Sequence, residues 1–165
     1  MTDRPAPRPG GIPAMRRDPS RPQADAHPRR VPPLLLELDQ VLDPFTRRTT
    51  HAEFTFDPAA PAVITVEFLT GRGPRAVRHI GRELLQRGLI AMSGCGDVQM
   101  WPTLTGERPT SWLLLDSDGM DALFEVPAEP LSAWLGATYR VTSAAAELDG
   151  LDWDGFLDEL FDGGE

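Results

Sequence analysis

Gly94-Cys95-Gly96-Asp97-Val98-Gln99-Met100-Trp101-Pro102, directly behind the segment Arg75–Leu89, sets the order of elements in the middle of this 165-residue chain. Val77, Ile80, Leu84, Leu85 and Leu89 recur at helical spacing, Arg78, Arg82 and Arg87 take the wet side, and Gly88 marks the stop. That pattern predicts an amphipathic helix over 75–89. Small residues from Ser93 to Gly96 then let the chain reverse, and 97–101 reads as a half-buried strand ended by Trp101-Pro102. Nothing in the run has a catalytic pattern.

Working outward, Leu34–Leu42, Ala52–Phe56 and Ala62–Leu69 read as strands before the helix. Asp57-Pro58-Ala59-Ala60-Pro61 must be a turn between the last two, since its prolines donate no ladder hydrogen bonds. After the helix come strands over 97–101, 111–115 and 121–126, with Asp116-Ser117-Asp118-Gly119 as a hairpin turn. A second helix begins near Ala128, carrying Leu131, Trp134, Leu135 and Tyr139 on one side. The expectation is an α+β fold of antiparallel curved sheets with packed helices in a βββα-βββα order. Residues 34–145 form this domain, 1–33 a disordered Pro/Arg-rich extension, and 146–165 an acidic amphipathic C-terminal helix.

Charge is unevenly spread. Residues 1–33 hold seven Arg against three Asp, and residues 34–165 hold nine Arg against 22 acidic residues. An acidic body argues against a grip on nucleic acid, which needs cations gathered on one face. All 16 basic residues are Arg, a bias that reflects a GC-rich genome rather than a site. Nine of the 17 prolines fall between Arg4 and Pro33, among few large apolar residues, so that stretch cannot build a packed core or a signal-peptide core. Apolar runs such as Leu34–Leu36 and Leu113–Leu115 fall far short of the roughly 20 residues of a membrane span.

Cys95 is the single cysteine, which fits a reducing cytoplasm, and His27, His51 and His79 show no metal-ligand spacing. Gly71-x-Gly73 and Gly94-x-Gly96 lack the remaining glycines of a phosphate loop, and Asp116-x-Asp118 lacks the distal Glu of a calcium loop. No motif joins Ser, His and acid as nucleophile and base. The reading therefore contains no catalytic residue, cofactor or metal. At the C-terminus Trp153, Phe156, Leu157, Leu160 and Phe161 fall on one helical face, with Asp154, Asp158, Glu159 and Asp162 elsewhere. Eight acidic residues and no basic one lie between Glu147 and Glu165, so a partner surface would be apolar with a basic rim. Docking on the chain's own domain or on a neighbouring subunit is the other reading of that face.

Arg82-Glu83-Leu84-Leu85, Gly88-Leu89, Gly96–Pro102 and Leu123–Leu135, with its Glu125-Val126-Pro127-Ala128 followed by Leu131, Trp134 and Leu135, stand in an order that resembles the SsgA-like proteins of sporulating actinomycetes. The resemblance covers about two thirds of the chain and does not include the N-terminal extension. It implies a fold similar to the whirly-type single-stranded nucleic-acid-binding proteins, assembled as a trimer with sheets shared between subunits. It also implies a non-enzymatic regulator of sporulation-specific cell division, a cytoplasmic adaptor at the division septum whose partners are FtsZ or another SsgA-like protein. The partner-binding residues expected are Arg75, Arg78, Arg82 and Arg87, meeting an acidic partner, and Trp153, Phe156, Leu157, Leu160 and Phe161, meeting an apolar one. A single-stranded nucleic-acid-binding module is the alternative the implied fold makes conceivable. Against it, Trp101, Trp112 and Trp134 sit at apolar positions that suit a core or subunit interface better than exposed base-stacking platforms. An enzyme whose site forms between subunits is a third reading.

Overall fold

A computed structural model describes residues 30–69, 71, 75–117 and 120–148. In chain order the elements are β1 (Leu34–Asp43), β2 (Thr46–Phe56), β3 (Val63–Leu69), β4 (Ala76–Gly81), α1 (Arg82–Gly88), β5 (Ser93–Cys95), β6 (Val98–Pro102), β7 (Thr110–Ser117), β8 (Met120–Pro127), α2 (Ala128–Val141) and α3 (Ala144–Leu148). The strands form one sheet in the order β4-β3-β2-β1-β8-β7-β6-β5, antiparallel throughout. Two four-stranded meanders thus lie side by side, joined where Asp39, Gln40 and Val41 face Glu125, Phe124 and Leu123.

The order is ββββα-ββββαα, which corrects the expected βββα-βββα. Residues 76–81 are a strand, and helix begins only at Arg82. Ile80 is buried because it lies opposite Ile64 on β3, so it belongs to the strand's period and not to that of Leu84, Leu85 and Leu89. Strand runs into helix at Gly81-Arg82 with no loop, and two apolar periods butted together imitate one long helix. Ser93–Cys95, expected as a turn, pairs briefly with β6, while β2 starts at Thr46, six residues before the strand expected from Ala52. Its first four residues, Thr46 to Thr49, are exposed and polar, so apolar periodicity gives no sign of them.

One side of the sheet supplies the core. Leu36, Leu38, Ala52, Phe54, Ile64, Val66, Ile80, Met100, Leu113 and Val126 point together against Leu85 of α1 and Leu131, Trp134 and Leu135 of α2. The Phe68 and Phe124 rings stack with centroids 4.8 Å apart although β3 and β8 are three steps apart in the sheet. A flat sheet would separate them by about 14 Å, at roughly 4.8 Å per strand, so the sheet is strongly curled around its core. Residues ahead of β1 join this packing: Val31 lies against the core, and the Trp134 Nε1–H donates to the Pro32 carbonyl at 2.7 Å.

Both helices start from equivalent joints. The Arg82 N–H donates to the carbonyl of Ala62 at 2.8 Å, and the Ala128 N–H donates to that of Pro109 at 3.0 Å. Each acceptor precedes the neighbouring strand, at the point where Val63 faces Gly81 or Thr110 faces Pro127. A main-chain carbonyl thereby satisfies one orphan amide of each helix, neither of which has a side-chain cap.

Candidate interaction surfaces

The arginines expected on one helix face are dispersed. Arg75 stands exposed before β4 and pairs with Glu67 at 2.8 Å. Arg78 lies opposite Val66, on the core-facing side of the edge strand, where it is half-buried and its Nη1 donates to the Val77 carbonyl at 3.0 Å. Arg87 is exposed on α1, with Glu83 one turn away at 3.4 Å. Arg82, assigned to the wet side from sequence, has no exposed surface at all. It is corrected from a contact residue to a structural one.

Around Arg82 all three guanidinium nitrogens donate hydrogen bonds. Nε donates to Glu147 Oε1 at 2.6 Å, Nη2 donates to the Thr142 carbonyl at 2.9 Å and to the same carboxylate, and Nη1 reaches Thr138 Oγ1 at 3.4 Å. The guanidinium carbon lies 3.9 Å from the Tyr139 ring centroid and 5.1 Å from that of Phe56. A planar, weakly hydrated cation suits such a slot, where an ammonium would not fill the fork. Burial pushes the Tyr139 hydroxyl above its usual value, and the neighbouring Arg82 charge opposes that shift. The cage fastens the start of α1 to the end of α2 and to α3. It also places Glu147, expected within the C-terminal acidic segment, firmly in the domain.

The second surface is the side of the sheet turned away from the helices. Trp101 pairs across the ladder with Trp112, and Leu114 with Leu123; all four are only partly covered among the described residues. The Arg47 guanidinium sits 5.5 Å from the Trp112 ring centroid and pairs with Glu125, which also accepts from Thr110 Oγ1 at 2.8 Å. Trp134, by contrast, lies in the core edge-on to Phe54, with ring centroids 6.3 Å apart. Arg47 has no place in the sequence reading, and Glu125 enters it only within the Glu125-Val126-Pro127-Ala128 run, with no role of its own. The available signal was the run Trp112-Leu113-Leu114-Leu115, apolar on both strand faces, which marks a sheet with two sides to cover. Phe45, at the tip of the β1–β2 hairpin, is 98% exposed.

Trp153, Phe156, Leu157, Leu160 and Phe161 lie outside the described residues. Among the described residues no group of three or more His, Cys, Asp or Glu is placed to hold a metal ion, and no helix is long and apolar enough to cross a membrane. Cys95 is exposed.

A family model described as "Streptomyces sporulation and cell division protein, SsgA" matches residues 50–147, ending at the carboxylate partner of Arg82. The sporulation-specific cell division protein SsgB of Salinispora tropica is 37% identical over 120 residues, covering 72% of this chain and 84% of its own. SsgB of Streptomyces coelicolor is 29% identical over 109 residues, 66% of this chain and 80% of its own. Two solved structures share the curled sheet at 27% identity. One, from work on SsgB mutations that correlate with longitudinal cell division during sporulation of Streptomyces coelicolor, superposes with a TM-score of 0.68 over 72% of this chain and 94% of that one. The other, an SsgA-like sporulation-specific cell division protein of Thermobifida fusca, gives 0.67 over 78% and 93%.

Proposed function

Because the chain belongs to the SsgA family of sporulation and cell division proteins, we propose that it serves sporulation septation as a non-enzymatic, protein-binding adaptor. It acts in septum-site selection or septum formation, through FtsZ or another SsgA-like protein, as a cytoplasmic homotrimer at the division septum. The observation that carries the adaptor reading is the Trp101-Trp112-Leu114-Leu123 face, an apolar strip rimmed by Arg47 and Glu125 that the described residues leave partly open. Such a strip has the composition of a protein interface, aromatic at its centre and charged at its rim. Arg75, Arg78 and Arg87 contribute charge to separate surfaces and not one basic face. Trp153, Phe156, Leu157, Leu160 and Phe161 contribute apolar contact.

A fluorescent fusion in sporulating hyphae of the source strain, beside a marked FtsZ, tests this. Ladders of foci that precede or coincide with FtsZ rings are expected; a diffuse or nucleoid-bound signal would overturn it. Trp112→Arg should abolish the foci while leaving the fold intact, since Trp112 is outside the core.

Arg47 stacked on Trp112 also favours a second reading, single-stranded nucleic-acid binding on a whirly-type fold. The Glu125 carboxylate beside Arg47 and the acidic body weigh against it. Oligonucleotide affinity that falls steeply with salt would support this reading.

A further inference from the structure

We infer that in the free chain the amphipathic segment Trp153–Phe161 lies back over its own domain and fills the groove between α1 and α2. This concerns where the segment rests before any partner is met, and it stands whichever division protein the chain serves.

The groove is an open depression of about 500 Å3 between the end of α1 and the beginning of α2, lined by Leu89, Ile90, Ala128 and Ala133 with the polar Gln86, Glu129 and Ser132 beside them. Ile90 is 77% exposed among the described residues, an apolar cost that a covering element would remove. Along α2 the same stripe continues from Ala133 to Gly136 and Ala137. Those small residues leave a shallow channel, and Trp153, Phe156, Leu157, Leu160 and Phe161 are the bulky complement such a channel takes.

Tether and direction agree. Glu147 is fixed on Arg82, and Arg82 also reaches Thr138 and Thr142, so α3 leaves the fold where the start of α1 meets the end of α2. The groove lies at the opposite ends of both helices. Eight residues of helical rise separate Arg82 from Ile90, about 12 Å, and nine residues from Trp153 to Phe161 would span about 13 Å as a helix. Residues 149–152 supply up to about 13 Å of link. The segment can therefore turn back at Asp149-Gly150 and run antiparallel to α2 without stretching.

Charge favours the same seat. No basic residue follows Arg140 in the sequence, and Arg140 is exposed on α2 with its Nη1 3.8 Å from the position a Cβ on Gly136 would take, so it lies over the channel where the segment would enter. Arg87 is exposed on the α1 side but is already faced by Glu83 at 3.4 Å, so Arg140 carries the attraction. Glu129, in the groove wall, opposes the acidic segment, and Asp154, Asp158, Glu159 and Asp162 fall off its apolar face, toward water.

The test uses the full chain with Cys95→Ser. Ser132→Cys combined with Leu157→Cys, oxidised in dilute solution, should give a disulfide within one chain, detected by mass. A disulfide between two chains would assign the groove to a neighbouring copy and overturn the proposal, as would failure to form any. Independently, hydrogen exchange over 86–92 and 128–133 in the cysteine-unmodified chain should accelerate by about tenfold when Phe156→Asp and Leu160→Asp are introduced together. Unchanged exchange would overturn it even if the engineered cysteines disturbed the fold.

Discussion

In the first half of the sheet the amide that opens α1 is held by Ala62, and in the second the amide that opens α2 is held by Pro109, at corresponding points of two meanders. Beyond that shared joint the halves diverge. α2 has 14 residues and buries Leu131, Trp134, Leu135 and Thr138. α1 has seven residues, too few to hold a helix in water unaided, and its buried positions are Arg82, Leu85 and Gly88. A long helix can be secured by apolar area, at about 1.5–3 kcal/mol for each large side chain buried. A two-turn helix cannot offer that area, and here directed bonds from one cation, with close backbone contact at Gly88, take its place.

The comparison breaks most visibly at Arg82. Arg82→Ala should cost about 3–5 kcal/mol, because it leaves Glu147 without its partner in a largely covered site. Chemical denaturation would measure this, and a loss below about 1 kcal/mol would mean that α1 does not depend on the cage. Leu135→Ala, the matching deletion in α2, should cost about 2–5 kcal/mol by cavity formation, without the local release of α3 that the arginine change should produce in hydrogen exchange. Gly88→Ala should follow at about 1–3 kcal/mol, since the new Cβ would come within 2.5 Å of the Met100 Cβ and Cγ atoms. A double-mutant cycle with Met100→Ala should recover part of that loss.

Ser111→Ala sharpens the second half. Its hydroxyl is buried with no partner among the described residues, so removal should be neutral or stabilising by up to about 1 kcal/mol. The smallest effect is in pH. Burial raises the Tyr139 pKa above 10.0, so the folded chain holds that proton more tightly than the unfolded one. Its contribution is complete below the unfolded pKa and is lost as pH rises through the folded pKa. Denaturation midpoints should therefore decline above about pH 10, and Tyr139→Phe should flatten that decline.

Strand parity and turn chemistry made much of the sheet legible. Phe54 and Phe56 on one face, the proline turn at 57–61 and the start of α2 at Ala128 all stand where the sequence places them. The joint at Gly81-Arg82 was not legible, because a main-chain acceptor contributed from Ala62 has no sequence signature. Arg82 was misplaced for a related reason. An arginine at a helix start reads as solvated unless its counter-charge is known, and Glu147 lies 65 residues away. Trp101 and Trp112 were legible as apolar strand residues, but only the register shows that they share the outer face with Arg47 and Glu125.

The two helix joints also bear on how far such a sequence can drift. Apart from the bonds that the Arg82 side chain adds, each joint asks position 82 or 128 only for an amide hydrogen, and each acceptor is a main-chain oxygen that every residue type carries. Proline is the one residue type the donor position forbids. Helices located in this way keep their places while the side chains around them are exchanged, and solved relatives at 27% identity still superpose with TM-scores of 0.67 and 0.68. Mutation is then free to rewrite the surfaces of a scaffold whose shape it hardly touches, which is how one architecture can come to serve several partners.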